Sequence, residues 1–147
     1  MAETLGSLCD KLTVVKLKQW HNEDDARKLS LDGQEKQLKN EIDEFITSAF
    51  AGNIPIEKLS FASNKVYKKE GNAVEDVMGS VGTVFSELAN VNCELWHEQE
   101  FVYEFEKVPA DKKDHVVKRL ALLNLKRTKC IDGIDNAFKS YIESLNK

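Results

Sequence analysis

The sequence contains few residues that would interrupt a helix. Among its 147 residues there are only two prolines, Pro55 and Pro109, and seven glycines. Proline lacks a backbone donor and blocks helix continuation, so this scarcity leaves long segments free to be helical. The apolar residues of those segments recur with a period near 3.6 rather than 2, which favours helices and argues against a fold built on strands.

Cysteine, basic charge and long apolar runs are also scarce, and each scarcity excludes a class of protein. Cys9, Cys93 and Cys130 are odd in number and contain no CxxC pair, which indicates reduced thiols and a cytoplasmic protein. The net charge of −4 offers no basic excess to attract nucleic acid or an anionic membrane. No apolar run has the length of a membrane span or a signal peptide. We therefore predict no nucleic-acid and no membrane partner.

The apolar stripes that are present predict four helices. They run from about Glu3 to about Lys28, from the turn LSLDGQ (29–34) to AGNIP (51–55), from about Asn72 to about Glu106, and from Pro109 to about Leu145. The connection 53–72 is too apolar for a free linker, because it contains Ile54, Ile56, Leu59 and Phe61. We expect a short helical turn there, packed over the end of a bundle.

Two segments of the sequence align without gaps. LTVVKLKQWHNED (12–24) matches LANVNCELWHEQE (88–100) with one constant offset, which places Trp20-His21 on Trp96-His97. This similarity predicts two related helical hairpins, with repeat 1 at about 1–52, the connection at 53–72 and repeat 2 at about 73–147. Together they would form one all-α domain over 1–147, a four-helix bundle. Chance similarity of two amphipathic helices is the alternative.

The third predicted helix has small residues on a second side: Gly79, Gly82, Ser86 and Cys93. Each glycine in a helix interior costs about 1 kcal/mol relative to alanine. Close approach of another backbone would offset that cost, so we expect this helix to be covered on two sides. A kink at the glycines is the competing interpretation.

A single arginine interrupts the apolar stripe of the fourth helix. Arg127 lies between Leu123 and Ile134, and a buried guanidinium without partners costs several kcal/mol. Asn124 is one candidate partner and Asn92 is close to the same level of the bundle. Glu23 would lie more than ~10 Å away in an up-down-up-down arrangement at 1.5 Å rise per residue. We favour a structural hub over a ligand anchor for Arg127.

Polar residues continue the apolar stripe beyond each Trp-His pair. Glu23 aligns with Gln99, and both either project beyond the core into water or line a shared polar pocket. The ligand-binding candidates that would line such a pocket are His21, Glu23, His97, Gln99, Asn124 and Arg127.

Metal and catalytic motifs are incomplete. Glu94-x-x-His97 is half of a di-iron motif, but Lys18 occupies the position of Glu94 in the other repeat. The sequence has no P-loop, no GxGxxG motif after a strand and no nucleophile elbow. The carboxylates of Glu41, Asp43 and Glu44 fall largely on solvated faces. We therefore predict no metal site and no cofactor, and we favour a protein that is not an enzyme.

Two motifs carry a family resemblance. They are Trp20-His21-x-Glu23-Asp24-x-Ala26-Arg27 and Asn124-x-x-Arg127-x-x-x-Ile131-x-x-Ile134-Asp135. Together they resemble a bacterial all-helical family of unknown function, although residues 31–94 separate segments that follow one another in that family. The resemblance implies a bacterial, soluble, helical protein and no particular activity.

Two functions remain open from the sequence. The favoured one is a protein-interaction or structural module that forms a homo-oligomer through its helix faces. The alternative is a small-ligand or metal-dependent enzyme whose site contains His21, Glu23, His97, Gln99 and Arg127. The alternative requires these side chains to converge on one cavity.

Overall fold

The computed structural model describes residues 3–61 and 75–146. These ranges contain four long helices and no strand, which confirms the predicted all-α four-helix bundle. The helices are α1 (Leu5–His21), α2 (Asp25–Phe50), α3 (Val81–Tyr103) and α4 (Lys113–Leu145). Short 3₁₀ turns occupy Ile56–Lys58, Phe105–Lys107 and Ala110–Lys112.

The first turn lies at residues 22–24, so the predicted break at 29–34 is wrong. Asn22 ends α1, and the Asp24 side chain accepts the backbone N–H of Ala26 at 3.0 Å as the N-cap of α2. A carboxylate at this position satisfies an otherwise unpaired helix donor. Gly33 instead lies inside α2, where it is exposed and tolerated.

The other helix boundaries also shift. Ser80 caps α3 by accepting the N–H of Thr83 at 3.3 Å, and residues 75–80 before it are not helical. The predicted start at Asn72 lies outside the described residues. At the other end α3 stops at Tyr103 rather than at about Glu106. Two 3₁₀ turns, Phe105–Lys107 and Ala110–Lys112, then precede α4.

The core lies among α1, α3 and α4, with α2 packed along α1. α2 reaches α4 near its C-terminal end, where the rings of Phe45 and Phe50 lie 6.2 and 6.4 Å from that of Phe138. The residues of the main core cluster are Leu5, Cys9, Ala49, Leu59, Val84, Leu88, Val91, Leu123, Cys130, Ile134, Phe138 and Ile142. Burial of each valine, leucine, isoleucine or phenylalanine side chain in this cluster contributes about 1.5–3 kcal/mol.

The predicted helical turn in the 53–72 connection is present at Ile56–Lys58. Leu59 follows it, is fully buried and belongs to the core cluster. The turn packs against α4. The sequence therefore predicted both the local helicity and the reason for it, since an apolar connection needs a surface to bury against.

Among the described residues, no other backbone approaches closely to the two glycines, Gly79 and Gly82, that were predicted to lie against a neighbouring helix. A Cβ added to Gly82 would have no heavy atom within 4 Å, and Gly79 lies before the helix with φ of 145°. The prediction that a second side of this helix packs against another backbone is therefore wrong. Tight approaches occur instead at Gly6 of α1, against the carbonyl oxygen of Ile131, and at Gly133 of α4, against that of Val77.

We expect Gly6→Ala and Gly33→Ala to change stability in opposite directions. A Cβ on Gly6 would overlap the Ile131 carbonyl, so the substitution should lower the free energy of unfolding by about 2–3 kcal/mol. Gly33 is a helix-interior glycine with open space around it, so alanine should raise that free energy by about 1 kcal/mol. Urea unfolding followed by circular dichroism measures both. A Gly6→Ala protein as stable as the parent would contradict the packing of α1 on α4.

Candidate functional site

A partly buried ion pair joins α1 to α4. The Nε and Nη2 atoms of Arg127 donate to the two carboxylate oxygens of Asp10 at 2.7 and 2.5 Å. Asn92 of α3 donates from Nδ2 to Asp10 Oδ1 at 3.0 Å. A two-pronged guanidinium contact of this kind fixes geometry as well as charge. Three helices are therefore tied together at one carboxylate.

The two partners of this ion pair differ in exposure. The Asp10 side chain is 8% exposed and the Arg127 side chain is 34% exposed. The hydrogen bond to Asp10 raises the pKa of Arg127 against the opposing effect of burial. Arg127 also borders a cavity of about 360 Å³ between α1 and α2, whose apolar wall includes Val14, Val15 and Leu38.

A second buried carboxylate lies at the start of α1. Asp135 of α4 is 1% exposed, and its Oδ1 accepts the N–H of Gly6 at 2.7 Å. Its Oδ2 atom is buried without a hydrogen-bond partner among the described residues. Burial raises the pKa of Asp135 to about 6, against the lowering effects of the Gly6 amide hydrogen bond and of the nearby Thr4 side chain. The carboxylate accepts one of the first amide donors of α1, which have no partner within the helix.

The predicted ligand residues lie around different cavities. His21 stacks on Trp96, with ring centroids 4.6 Å apart, and lines a cavity of about 490 Å³. His97 contacts Phe101 edge-on at 5.4 Å and lines another cavity, of about 730 Å³. Arg127 borders the third cavity, described above.

The remaining candidates do not connect these cavities. Glu23 and Gln99 are exposed, and Asn124 is half-buried one turn before Arg127. The backbone carbonyl oxygen of Asn124 accepts the Thr128 hydroxyl at 3.2 Å. The geometry thus does not bring the six predicted residues into one ligand site.

A polar network explains why the stripe of α1 stops being apolar. Gln19 donates from Nε2 to Asp32 at 3.0 Å and to Glu35 at 2.7 Å, both on α2. Lys16 adds an ion pair to Glu35 at 3.3 Å. α1 and α2 are therefore joined by hydrogen bonds at the level where apolar packing ends.

The described residues contain no cluster of three or more His, Cys, Asp or Glu side chains able to hold a metal ion. Glu94, from the half di-iron motif, forms a 3.6 Å ion pair with Arg119. Burial raises the pKa of the Cys9 thiol to about 12 and that of Cys130 to about 11. Raised pKa values make these thiols poor nucleophiles. The arrangement supports structural roles for both cysteines.

Within residues 3–61 and 75–146, no helix combines the length and the apolar character that crossing a membrane requires. The fold defines the chain as an all-α four-helix bundle in which a partly buried Asp-Arg-Asn network links three helices. No protein-family model, curated protein or solved structure matches the chain. The family resemblance of the Trp-His and Asn-x-x-Arg motifs stays a prediction.

Proposed function

We propose that this protein acts through protein contacts and associates with a second copy of itself. The supporting observation is a group of exposed apolar side chains at one end of the bundle. This aromatic end patch consists of Phe50, Phe61, Met78, Tyr141 and Leu145, whose exposures are 51, 44, 84, 54 and 53%.

The members of the aromatic end patch are contiguous. The rings of Phe50 and Tyr141 lie 6.0 Å apart in an edge-on arrangement. Phe61, Met78 and Tyr141 line one cavity of about 760 Å³. Leu145 follows Tyr141 by one helical turn, so both lie on the same side of α4. Contiguous exposed apolar surface of this kind marks interaction sites in globular proteins.

The apolar stripe of α4 itself leads into the patch. Cys130, Ile134 and Phe138 are buried, whereas Tyr141 and Leu145, which continue the stripe, are more than half exposed. A helix that maintains its apolar pattern beyond the core presents a surface for another partner to cover.

A second copy of the chain is the occupant that the patch chemistry favours. None of its five side chains is charged, and the charged residues beside it, Asp76, Lys129 and Asp132, include both signs, so a second copy meets no surface of a single charge. A two-fold interface uses the same patch on both chains and must therefore be self-complementary. Aromatic residues and Met, which dominate the patch, are enriched in interface cores. This role requires no catalytic residue.

Sedimentation velocity tests this proposal. We expect the parent to move from one chain to two as its concentration rises from micromolar to hundreds of micromolar. The double substitution Tyr141→Glu/Leu145→Glu should keep the protein monomeric, because charges would be buried in the interface. Both positions are more than half exposed, so the fold should be retained, as circular dichroism can check.

A matched pair of substitutions controls for added charge. Leu29 and Val117 are 75% and 55% exposed and are not members of the patch. Leu29→Glu/Val117→Glu adds the same charge and should associate like the parent. A parent that remains monomeric throughout, or equal effects of the two double substitutions, would overturn the proposal.

We also propose that the protein acts in the cytoplasm. The three cysteines are free, and two of them are buried, which suits a reducing environment.

A further inference from the structure

The cavity beside the first turn has a basic lining. It measures about 490 Å³, within the usual range for small-ligand sites, and is bordered by Lys18, His21 and Arg27. Its other lining residues are Asn22, Ser30, Leu31, Gln34 and Trp96. No carboxylate lines it among the described residues, although the whole chain carries a net charge of −4.

Within the described part of the chain, Lys18 and Arg27 form no ion pair, whereas three lysines of the same two helices do. Lys11, Lys16 and Lys28 each pair with a carboxylate at 2.5 to 3.3 Å. Among the described residues, neither Lys18 nor Arg27 has a carboxylate within ion-pair distance. The remaining arginines, Arg119 and Arg127, both form ion pairs.

The acidic residues of the adjacent turn lie outside the cavity lining. Asp24 uses its carboxylate to accept the N–H of Ala26, and Glu23 is exposed outside the cavity. Asp32 is engaged by Lys28 and Gln19. Glu23, Asp24 and Asp25 are close in sequence, but none of them is among the residues that line the cavity, so among the described residues the lining itself carries only positive charge.

The geometry of His21 suits the same role. Its Nδ1–H donates to the carbonyl oxygen of Leu17 at 2.9 Å, and its ring is held flat against Trp96 at 19°. One nitrogen and one face of the ring are engaged, so Nε2 is the ring nitrogen left for a ligand, and it donates to a phosphate oxygen when both ring nitrogens carry protons. Arginine, lysine and histidine together are the side chains that bind phosphate oxygens through charge-assisted hydrogen bonds.

We propose that this cavity binds a phosphate group through Arg27 and Lys18, with His21 as a third donor when its ring carries both protons. The cavity volume admits either inorganic phosphate or a small phosphomonoester. Trp96, in the lining, gives an optical signal for binding. This site is independent of the aromatic end patch.

Equilibrium titration with inorganic phosphate and with a nucleoside monophosphate tests the proposal, at constant ionic strength maintained with chloride. The background variant Trp20→Phe removes the other, highly exposed tryptophan, so that fluorescence reports on Trp96. Calorimetry measures the same affinity without relying on fluorescence. We expect a Kd on the order of 1 mM or tighter for at least one of the two ligands.

Lys18→Ala/Arg27→Ala should weaken binding by roughly tenfold or more, because two charge-assisted contacts are removed. Lys16→Ala removes a charge from the same helix outside the cavity and should leave the Kd within about twofold. Binding of inorganic phosphate indicates the free ion as ligand, whereas binding of the monophosphate alone indicates a phosphomonoester. No binding of either, or equal binding by the parent and the double variant, would overturn the proposal.

Discussion

Arg127→Met is expected to lower the free energy of unfolding by about 2–3 kcal/mol, because it leaves the Asp10 carboxylate buried without its cationic partner. Methionine retains much of the arginine stem, so the loss reports mainly on charge and hydrogen bonds. About 3–5 kcal/mol is typical for breaking a fully buried pair. The smaller value is expected here because 34% of the Arg127 side chain is exposed and solvent screens part of the interaction.

Urea unfolding of three variants measures this effect. Lys126→Met is the matched control, since Lys126 precedes Arg127 on α4 and pairs with Glu87 of α3 at 2.6 Å near the surface. Its loss should lie within about 1 kcal/mol. Adding Asp10→Asn to Arg127→Met should restore part of the lost stability, because the uncompensated charge is removed. An Arg127→Met protein no less stable than Lys126→Met would contradict the hub assignment.

Asp135→Asn is expected to remove a large part of the pH dependence of stability. The pKa of this carboxyl is raised from 3.8 to about 6 in the folded protein, chiefly by burial. The folded state therefore holds this proton more tightly than the unfolded chain. The resulting stabilisation is fully present below the unfolded pKa of 3.8 and is lost as the pH rises through about 6.

The expected size follows from the pKa shift. A difference of about two pKa units corresponds to about 3 kcal/mol. The unfolding free energy of Asp135→Asn minus that of the parent should therefore increase by about 2–3 kcal/mol between about pH 4 and about pH 7. Asp43→Asn, at an exposed position on α2, corrects for the loss of one negative charge. A difference that stays constant over this range would contradict the burial of Asp135 against the start of α1.

The sequence predicted the helices well where apolar periodicity was long and failed at their ends. The stripes of the third and fourth helices include Val84, Leu88, Cys130 and Ile134, all of which are fully buried. The first turn was misplaced because Ser30, Asp32 and Gly33 were expected to form it. In the structure Asn22 caps the end of α1 and Asp24 caps the start of α2. Both sets of residues are suitable helix caps, and apolar periodicity alone does not show which set forms the turn.

Only some of the residues paired by the sequence repeat occupy equivalent positions in α1 and α3. Val15 and Val91 are both buried at equivalent positions of α1 and α3. Trp20 is 85% exposed, however, whereas Trp96 is half-buried beneath His21. α1 ends just after its Trp-His pair and α3 continues to Tyr103. Descent from two related hairpins stays a prediction.

The need of Arg127 for partners was predictable, but the identity of its main partner was not. Asn92 was expected near the same level and does belong to the network. Asp10 was missed because it lies beside the Leu5-Leu8-Leu12 stripe and is a single acidic residue next to Cys9. Its burial depends on how α1 packs against α4, where the absence of a side chain at Gly6 allows a close approach. Sequence periodicity does not contain this information.

The central functional claim is that copies of the chain meet at the aromatic end patch. Hydrogen–deuterium exchange of the parent at low and high protein concentration tests it most directly, because the method locates the contact as well as detecting it. The account predicts that high concentration slows exchange in the last turns of α2 and α4, around Phe50 and Tyr141, and leaves the turn at residues 22–24 unchanged. Exchange that is independent of concentration, or slowed at that turn instead, would contradict the account.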